Sequence, residues 1–365
     1  MAGIYVHIPF CKSRCIYCDF YSQTSLTLRQ RYVDAVCKEA DARSSYIKER
    51  VRTIYIGGGT PSQLEPRQLA QIFHVLGSAE EVTIEVNPDD VTPSFAEALS
   101  ELPVNRVSMG AQTFSDERLR FLRRRHSAGQ VSQAVRLLRE IGIGNISVDL
   151  MYGFPNETME EWVRDIDAVL ALDVEHVSAY SLQYEEGTSL SRMLENGDVS
   201  KVDEELERQM YYTLKDRLNS AGYEHYEISN FARSGYRSRH NSSYWRQIPY
   251  LGLGAAAHSF DGSTRQWNVA DIRQYIEGVE QDKCVAEQEV LTPDNLYNEM
   301  VMTALRTCEG IDVSKLSEDY RSYCLAQAQT FVKNGLLVKD GTRLCLSREG
   351  LFVSDMVMTA LMHVE

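Results

Sequence analysis

The sequence predicts an α/β fold: a partial barrel of six β-strand–α-helix units followed by a smaller C-terminal module of helices and a hairpin. Three observations predict it. Short runs rich in Val and Ile alternate six times with helical periodicity, the pattern of a parallel sheet with helices outside. Unusual polar or glycine-rich features follow each run, where barrels of the TIM type carry their chemistry. Beyond about residue 185 the pattern changes, and Asp340-Gly341 marks a tight turn between two short apolar runs.

The candidate strands are Ile4–Ile8, Thr53–Ile56, Val82–Val86, Arg106–Met109, Ile146–Leu150 and His176–Leu182. Helical patterns occupy Leu28–Lys48, Arg67–Leu76, Ser115–Arg124, Gln130–Ile141 and Met159–Leu172, with a further amphipathic helix over Asp203–Ser220. Three clustered cysteines follow the first strand, and Gly57-Gly58-Gly59-Thr60-Pro61 follows the second. Glu85 ends the third, Gln112 follows the fourth, Asp149 lies near the end of the fifth, and Gln183 follows the sixth. Six such features at six strand ends imply one shared site in a bowl. Residues 1–220 are assigned to this barrel. Residues 221–284 read as an aromatic, irregular connecting segment. Residues 285–365 read as a winged-helix-like domain: three helices, the hairpin Leu336–Lys339 and Arg343–Leu346, and a last helix Leu351–Met362.

Charge narrows the function classes. The formal net charge of the 365 residues is −14, which repels nucleic acid unless one face is strongly basic. The basic runs Arg118–Arg125 and Arg233–Arg246 are short. Winged-helix modules often bind DNA, but residues 285–365 carry 7 basic and 12 acidic side chains. A packing or protein-contacting role is the better expectation, and no nucleic-acid partner is expected. No stretch approaches the roughly 20 apolar residues of a membrane span, and Met1–Phe10 lacks the charged start of a signal peptide. The expected location is the cytoplasm, where eight cysteines read as thiols or metal ligands. Nothing in the sequence sets the oligomeric state.

Cys11, Cys15 and Cys18 place three thiols within eight residues, spaced so that one loop presents them to one inorganic body. Lys12 and Arg14 are suited to ionising them. Structural zinc competes, but it wants four ligands in paired elements, and neither His7 nor Asp19 completes a standard set. A cubane cluster takes four cysteines. Three from one loop imply an iron–sulfur cluster with one exchangeable iron. The other five cysteines are scattered and read as small buried residues.

The C-x3-C-x2-C loop after the first strand and the Gly-Gly-Gly-Thr-Pro turn after the second resemble the radical S-adenosylmethionine (SAM) superfamily. Within it, Tyr5-Val6-His7-Ile8-Pro9-Phe10-Cys11, Glu85-Val86-Asn87-Pro88, Ser108 to Phe114, Asp149 to Gly153 and Leu251 to Gly254 resemble the oxygen-independent coproporphyrinogen III oxidase family. The resemblance covers nearly the whole chain. The oxidases carry a further cysteine where Phe20 stands here, and a longer segment ahead of the cluster loop. The string His240-Asn241-Ser242-Ser243-Tyr244-Trp245, with Cys18-Asp19-Phe20, instead resembles the heme-chaperone (HemW) subgroup.

The resemblance implies a radical SAM barrel with a [4Fe–4S] cluster on Cys11, Cys15 and Cys18, and SAM on the fourth iron. Gly58, Gly59 and Thr60 would let the ligand approach the backbone. Arg124 would clamp its carboxylate. Glu85, Gln112, Asp149 and Gln183 would take its ribose and ammonium, and Tyr5 and Tyr17 would pack beside cluster and adenine. It also implies heme as a bound group. His240 would be its axial ligand, Phe231, Tyr244 and Trp245 its slot, and Arg237, Arg239 and Arg246 its propionate partners; His7 and His258 are the alternative ligands. Apo-hemoproteins, membrane respiratory enzymes included, are the candidate acceptors. Heme carriage is the first expectation and oxidative decarboxylation of coproporphyrinogen III the alternative. An RNA-modifying radical enzyme and a zinc protein are two further classes.

Overall fold

The computed structural model describes residues 2–364. Six parallel strands, β1 (Ala2–Ile8), β2 (Val51–Gly58), β3 (Glu81–Val86), β4 (Arg106–Gln112), β5 (Ile146–Tyr152) and β6 (His176–Ser181), lie side by side in chain order. Helices α1 (Arg29–Ala42), α2 (Pro66–Leu76), α3 (Pro93–Ser100), α4 (Asp116–Phe121), α5 (Ala128–Glu140) and α6 (Met159–Ala171) connect them, and α7 (Ser189–Glu195) and α8 (Glu204–Ser220) follow. The sequence sets several helix starts. Pro66 opens α2 behind a Glu65/Gln68 capping box, and Thr158 with Glu161 does the same for α6.

Strand alternation separates two environments. One face presents Ile4, Val6, Ile8, Ile54, Ile56, Val82, Ile84, Val107, Met109, Val148 and Leu150 to the helices, all within the main core. The other face is polar and turns inward: Tyr5 and His7 on β1, Tyr55 on β2, Glu81, Thr83 and Glu85 on β3, Arg106 and Ser108 on β4, Ser147 and Asp149 on β5. Direct bonds link these columns, Tyr55 to Glu85 at 2.7 Å and Ser108 to Asp149 at 3.2 Å. Neighbouring strands, α9 and the loop after β1 supply partners for many of these inward polar groups.

The segment expected to be irregular is not. It contains β7 (Glu224–Glu227), β8 (Asn230–Ala232), α9 (Arg239–Trp245), β9 (Tyr250–Leu253), β10 (His258–Phe260), β11 (Thr264–Asn268) and α10 (Ile272–Glu280), with β12 (Ala286–Val290) after it. These strands extend the main sheet at both edges, in the order β12-β11-β10-β9-β1-β2-β3-β4-β5-β6-β8-β7. β9 runs parallel to β1, whereas β8 runs antiparallel to β6. The sheet is therefore open, with twelve strands.

The C-terminal part has its own core, built around Tyr297, Val301, Leu305, Ile311, Cys324, Leu344 and Leu361. Two long helices, α11 (Pro293–Leu305) and α12 (Glu318–Lys333), stand where three were expected. Between them lies β13 (Ile311–Asp312), which joins the hairpin β14 (Leu337–Asp340) and β15 (Arg343–Leu346) in a three-stranded sheet. The closing helix is two short ones, α13 (Arg348–Phe352) and α14 (Ser354–Leu361). Arg306 ties this unit to β7 through an ion pair of 2.8 Å with Glu227, which is 1% exposed. Among the described residues no helix is long and apolar enough to cross a membrane.

Candidate cofactor site in the barrel bowl

The C-terminal ends of β1–β6 open into one cavity of about 450 Å³. Its wall includes Cys11, Cys15, Tyr17, Cys18, Gly58, Gly59, Thr60, Glu85, Gln112, Arg124, Asp149 and Gln183. The structure thus gathers residues up to 172 positions apart in sequence around one space.

The cysteine loop is tied down on both sides. Cys11 N–H donates to Gln23 O (3.0 Å), and Ile16 N–H donates to Leu122 O (3.3 Å). Leu190 N–H donates back to Ile16 O (2.9 Å), so elements after β4 and β6 hold the same loop. Lys12 does not face the thiols. It pairs with Asp90 at 3.2 Å, whose carboxylate also receives Arg125, Ser62 and Gln63. Arg14 reaches the carbonyls of Cys18 and Phe20 instead of a sulfur. The guanidinium beside the thiols is that of Arg124, 3.6 Å from Cys15 Sγ, and Thr60 Oγ1 donates to Cys11 Sγ at 3.4 Å.

Three thiols on one loop repel further ionisation. Burial pushes Cys11 up, and burial with the neighbouring Cys15 and Cys11 pushes Cys18 up to about 11. Such a set suits a cationic inorganic body that stabilises thiolates. Among the described residues no three His, Cys, Asp or Glu side chains close on a point suited to a single metal ion. The donor set and its one-sided wall fit the corners of a larger cluster, with the bowl left for a further ligand.

The glycine turn is required by space. Gly58 has φ +107°, and a Cβ there would lie 2.4 Å from His7 Nδ1. At Gly59 a Cβ would meet Ile8 O at 2.8 Å and Phe10 N at 3.0 Å. Only glycine lets β2 turn this close to the cluster loop. Glu85 lies beneath it, receiving Gly58 N–H (3.0 Å) and Tyr55 O–H (2.7 Å). Burial outweighs those bonds and holds Glu85 up to about 7. Burial likewise raises Asp149, against hydrogen bonds from Ser178, Ser108 and Ser147. Arg124 donates to Gly110 O (2.5 Å) and Asn87 Oδ1 (2.7 Å), so its guanidinium is fixed before any ligand arrives.

Sequence reasoning missed Asn87, Asp90, Ser108 and Tyr180. Asn87 orients Arg124, Asp90 anchors the loop, and Ser108 and Tyr180 line the bowl. The Asn-Pro after β3 and the inward period of β4 and β6 were the available signals.

Two of the expected residues lie away from the bowl wall. Tyr5 does not reach the bowl wall; it points into the barrel below it, donating from its hydroxyl to His7 Nδ1 at 3.0 Å while His7 Nε2 donates to Tyr21 O. His240 lies at the opposite, N-terminal end of the strands and is 1% exposed. Its Nδ1 bonds Thr53 Oγ1 (2.9 Å), its Nε2 bonds Tyr244 Oη (2.8 Å), and its ring stacks on Tyr55 with centroids 5.1 Å apart. No ring nitrogen is left for iron. Its backbone N–H and that of Arg239 are capped by the Glu81 carboxylate, which fixes α9 under the sheet. The companions expected around it are also engaged. Phe231 is buried against His225, Arg239 pairs with Glu80, and Arg237 and Arg246 pair with Glu309.

Comparison with known proteins agrees with this geometry. Residues 5–169 match the radical SAM superfamily model, and residues 291–353 match the HemN C-terminal domain. A heme chaperone HemW of Mycobacterium tuberculosis is 34% identical over 99% of this chain and 94% of its own length. The Bacillus subtilis heme chaperone HemW is 34% identical over 88% of this chain and 87% of its own. A mitochondrial radical S-adenosyl methionine domain-containing protein 1 from Bos taurus is 31% identical over 99% and 87%. The fold matches that of coproporphyrinogen III oxidase (HemN) from Escherichia coli with a TM-score of 0.85, at 22% identity over 99% of this chain and 90% of that one. The chain therefore belongs to the HemW family of the radical S-adenosylmethionine superfamily.

Proposed function

We propose that this chain is a cytoplasmic heme chaperone, which binds heme and passes it to acceptor hemoproteins. In this reading it carries a [4Fe–4S] cluster on Cys11, Cys15 and Cys18, with SAM exchanging in the bowl. The observation that carries the reading is similarity to heme chaperones running through barrel, connecting strands and tail alike. The bowl residues have matching roles. Arg124, already oriented by Asn87 and Gly110, would hold the SAM carboxylate. The Gly58–Gly59 backbone would approach the amino acid end, and Glu85, Gln112, Asp149 and Gln183 would take its hydroxyls and ammonium. When bound and reduced, such a cluster can pass one electron to the sulfonium. The chain's part is to orient the ligand and exclude water.

The test is transfer. Anaerobically reconstituted, heme-loaded protein is mixed with apomyoglobin, and the Soret band is followed. The reading expects heme to move to the acceptor with no consumption of coproporphyrinogen III in a parallel anaerobic assay. Failure to take up heme, together with turnover of coproporphyrinogen III, would replace it with the oxidase reading.

A further inference from the structure

The eight histidines divide sharply by environment. His7, His126, His176, His225 and His240 are hydrogen-bonded within the fold, and His363 sits beside Asp294. His74 is exposed on α2, clear of the cavities described above and below. His258 differs from all of these. It is exposed at the start of β10, its ring makes no hydrogen bond among the described residues, and it lines a further cavity of about 300 Å³.

That cavity lies between α9, the edge strands β9–β11 and α11, on the far side of β1 from β2. Its lining is aromatic, with Tyr244, Trp245, Tyr250 and Phe260 beside His258 and Arg265. Strand alternation sets His258 and Phe260 on one face of β10, and Phe260 pairs in register with Tyr250. Tyr244 and Tyr250 meet edge to face at 4.7 Å, which fixes two walls. Arg265 reaches across to Glu299 of α11 at 3.0 Å, yet its Nε, like Trp245 Nε1, is buried with no partner. Burial and the neighbouring Arg265 lower the His258 pKa, so its ring is neutral near pH 7 with a lone pair available.

We propose that this cleft is the heme site, with His258 as axial ligand and Arg265 as partner for a propionate. The inference rests on the heme-carrying reading above. A flat aromatic macrocycle suits aromatic walls, a neutral imidazole suits its iron, and an arginine suits its carboxylates. The volume is at the lower end of the roughly 300–1,000 Å³ of small-molecule sites. The cleft therefore takes one edge of the ring and leaves the rest at the surface, as a carrier that must release its cargo requires. Two residues of the His240–Trp245 string, Tyr244 and Trp245, line the cleft, and His240 bonds Tyr244 from behind.

The experiment is a hemin titration of the full-length, cluster-reconstituted protein and its His258→Ala variant, followed by Soret absorbance and low-temperature EPR. His258 is exposed, so unchanged far-UV circular dichroism and melting are expected of the variant. The proposal expects at least about tenfold weaker binding, or about 1.4 kcal/mol. It also expects loss of the histidine-ligated spectrum and its return on adding free imidazole. Equal affinity with an unchanged spectrum would overturn the site while leaving heme carriage intact. Absence of heme binding by the unaltered protein would sink the chaperone reading and the site with it.

Discussion

Replacing His240 with alanine separates structure from ligation at the most prominent histidine of the sequence. The imidazole bridges Thr53 and Tyr244 inside the fold. Alanine strands both partners, each at about 1–3 kcal/mol for a buried polar group left unpaired. It also removes the contact with Tyr55, worth about 0.5–1.5 kcal/mol for a ring pair. The expected loss is about 2.5–7.5 kcal/mol, read from urea unfolding followed by circular dichroism. His240→Gln, which can keep one of the bonds, should lose roughly half as much. The pH dependence has a definite sign. Burial, then Arg106, lowers His240 to about 3 in the folded chain, against about 6.5 unfolded. Between those values only the unfolded state is protonated, so the stabilisation by His240 is complete above about pH 6.5 and is lost as pH falls toward about 3. The stability gap between the native chain and His240→Ala should therefore narrow across that window. A gap below about 1 kcal/mol at pH 7, combined with loss of the heme spectrum in a still-folded variant, would refute the reasoning and return His240 to the iron.

Other perturbations test the bowl. Arg124→Leu removes the fixed guanidinium beside Cys15 and unpairs Gly110 O and Asn87; SAM binding to reconstituted protein, measured by equilibrium dialysis, should weaken at least about tenfold. Gly58→Ala sets a methyl group into the His7 ring at positive φ, and it should cost about 2 kcal/mol or more with a lower iron content after reconstitution. Asp90→Asn weakens the anchor shared by Lys12 and Arg125; the cluster should assemble but be lost faster to a chelator, seen as faster bleaching of its visible absorbance.

The barrel strands were legible because each has six to eight residues and most alternate an apolar face that meets a helix. The strands between 224 and 268 were not, because each has three to five residues, and they join the sheet only through β9 on β1 and β8 on β6, partners far away in sequence. The helix read as Leu28–Lys48 stops at Ala42, since Arg43 turns back to Glu39, Gly252, Ser259 and Gln266. Most of the bowl was legible because its residues sit at strand ends, where position and residue type speak together. The internal partners of Tyr5 and His240 were not legible, because residue type does not say whether a ring is already satisfied. For His240 the hint was Tyr244 four residues on, the spacing that stacks side chains on one helix face. His258 carries little signal of its own; its cavity is assembled from three strands, α9 and α11.

The most direct test of the account is the state of the bowl. After anaerobic reconstitution, iron and sulfide are counted and EPR of the reduced protein is recorded with and without SAM. The account predicts a cubane's complement of iron and sulfide per chain, abolished in Cys15→Ser, and an EPR signal that changes when SAM is added. Zinc in place of iron, or a cluster signal indifferent to SAM, would contradict it.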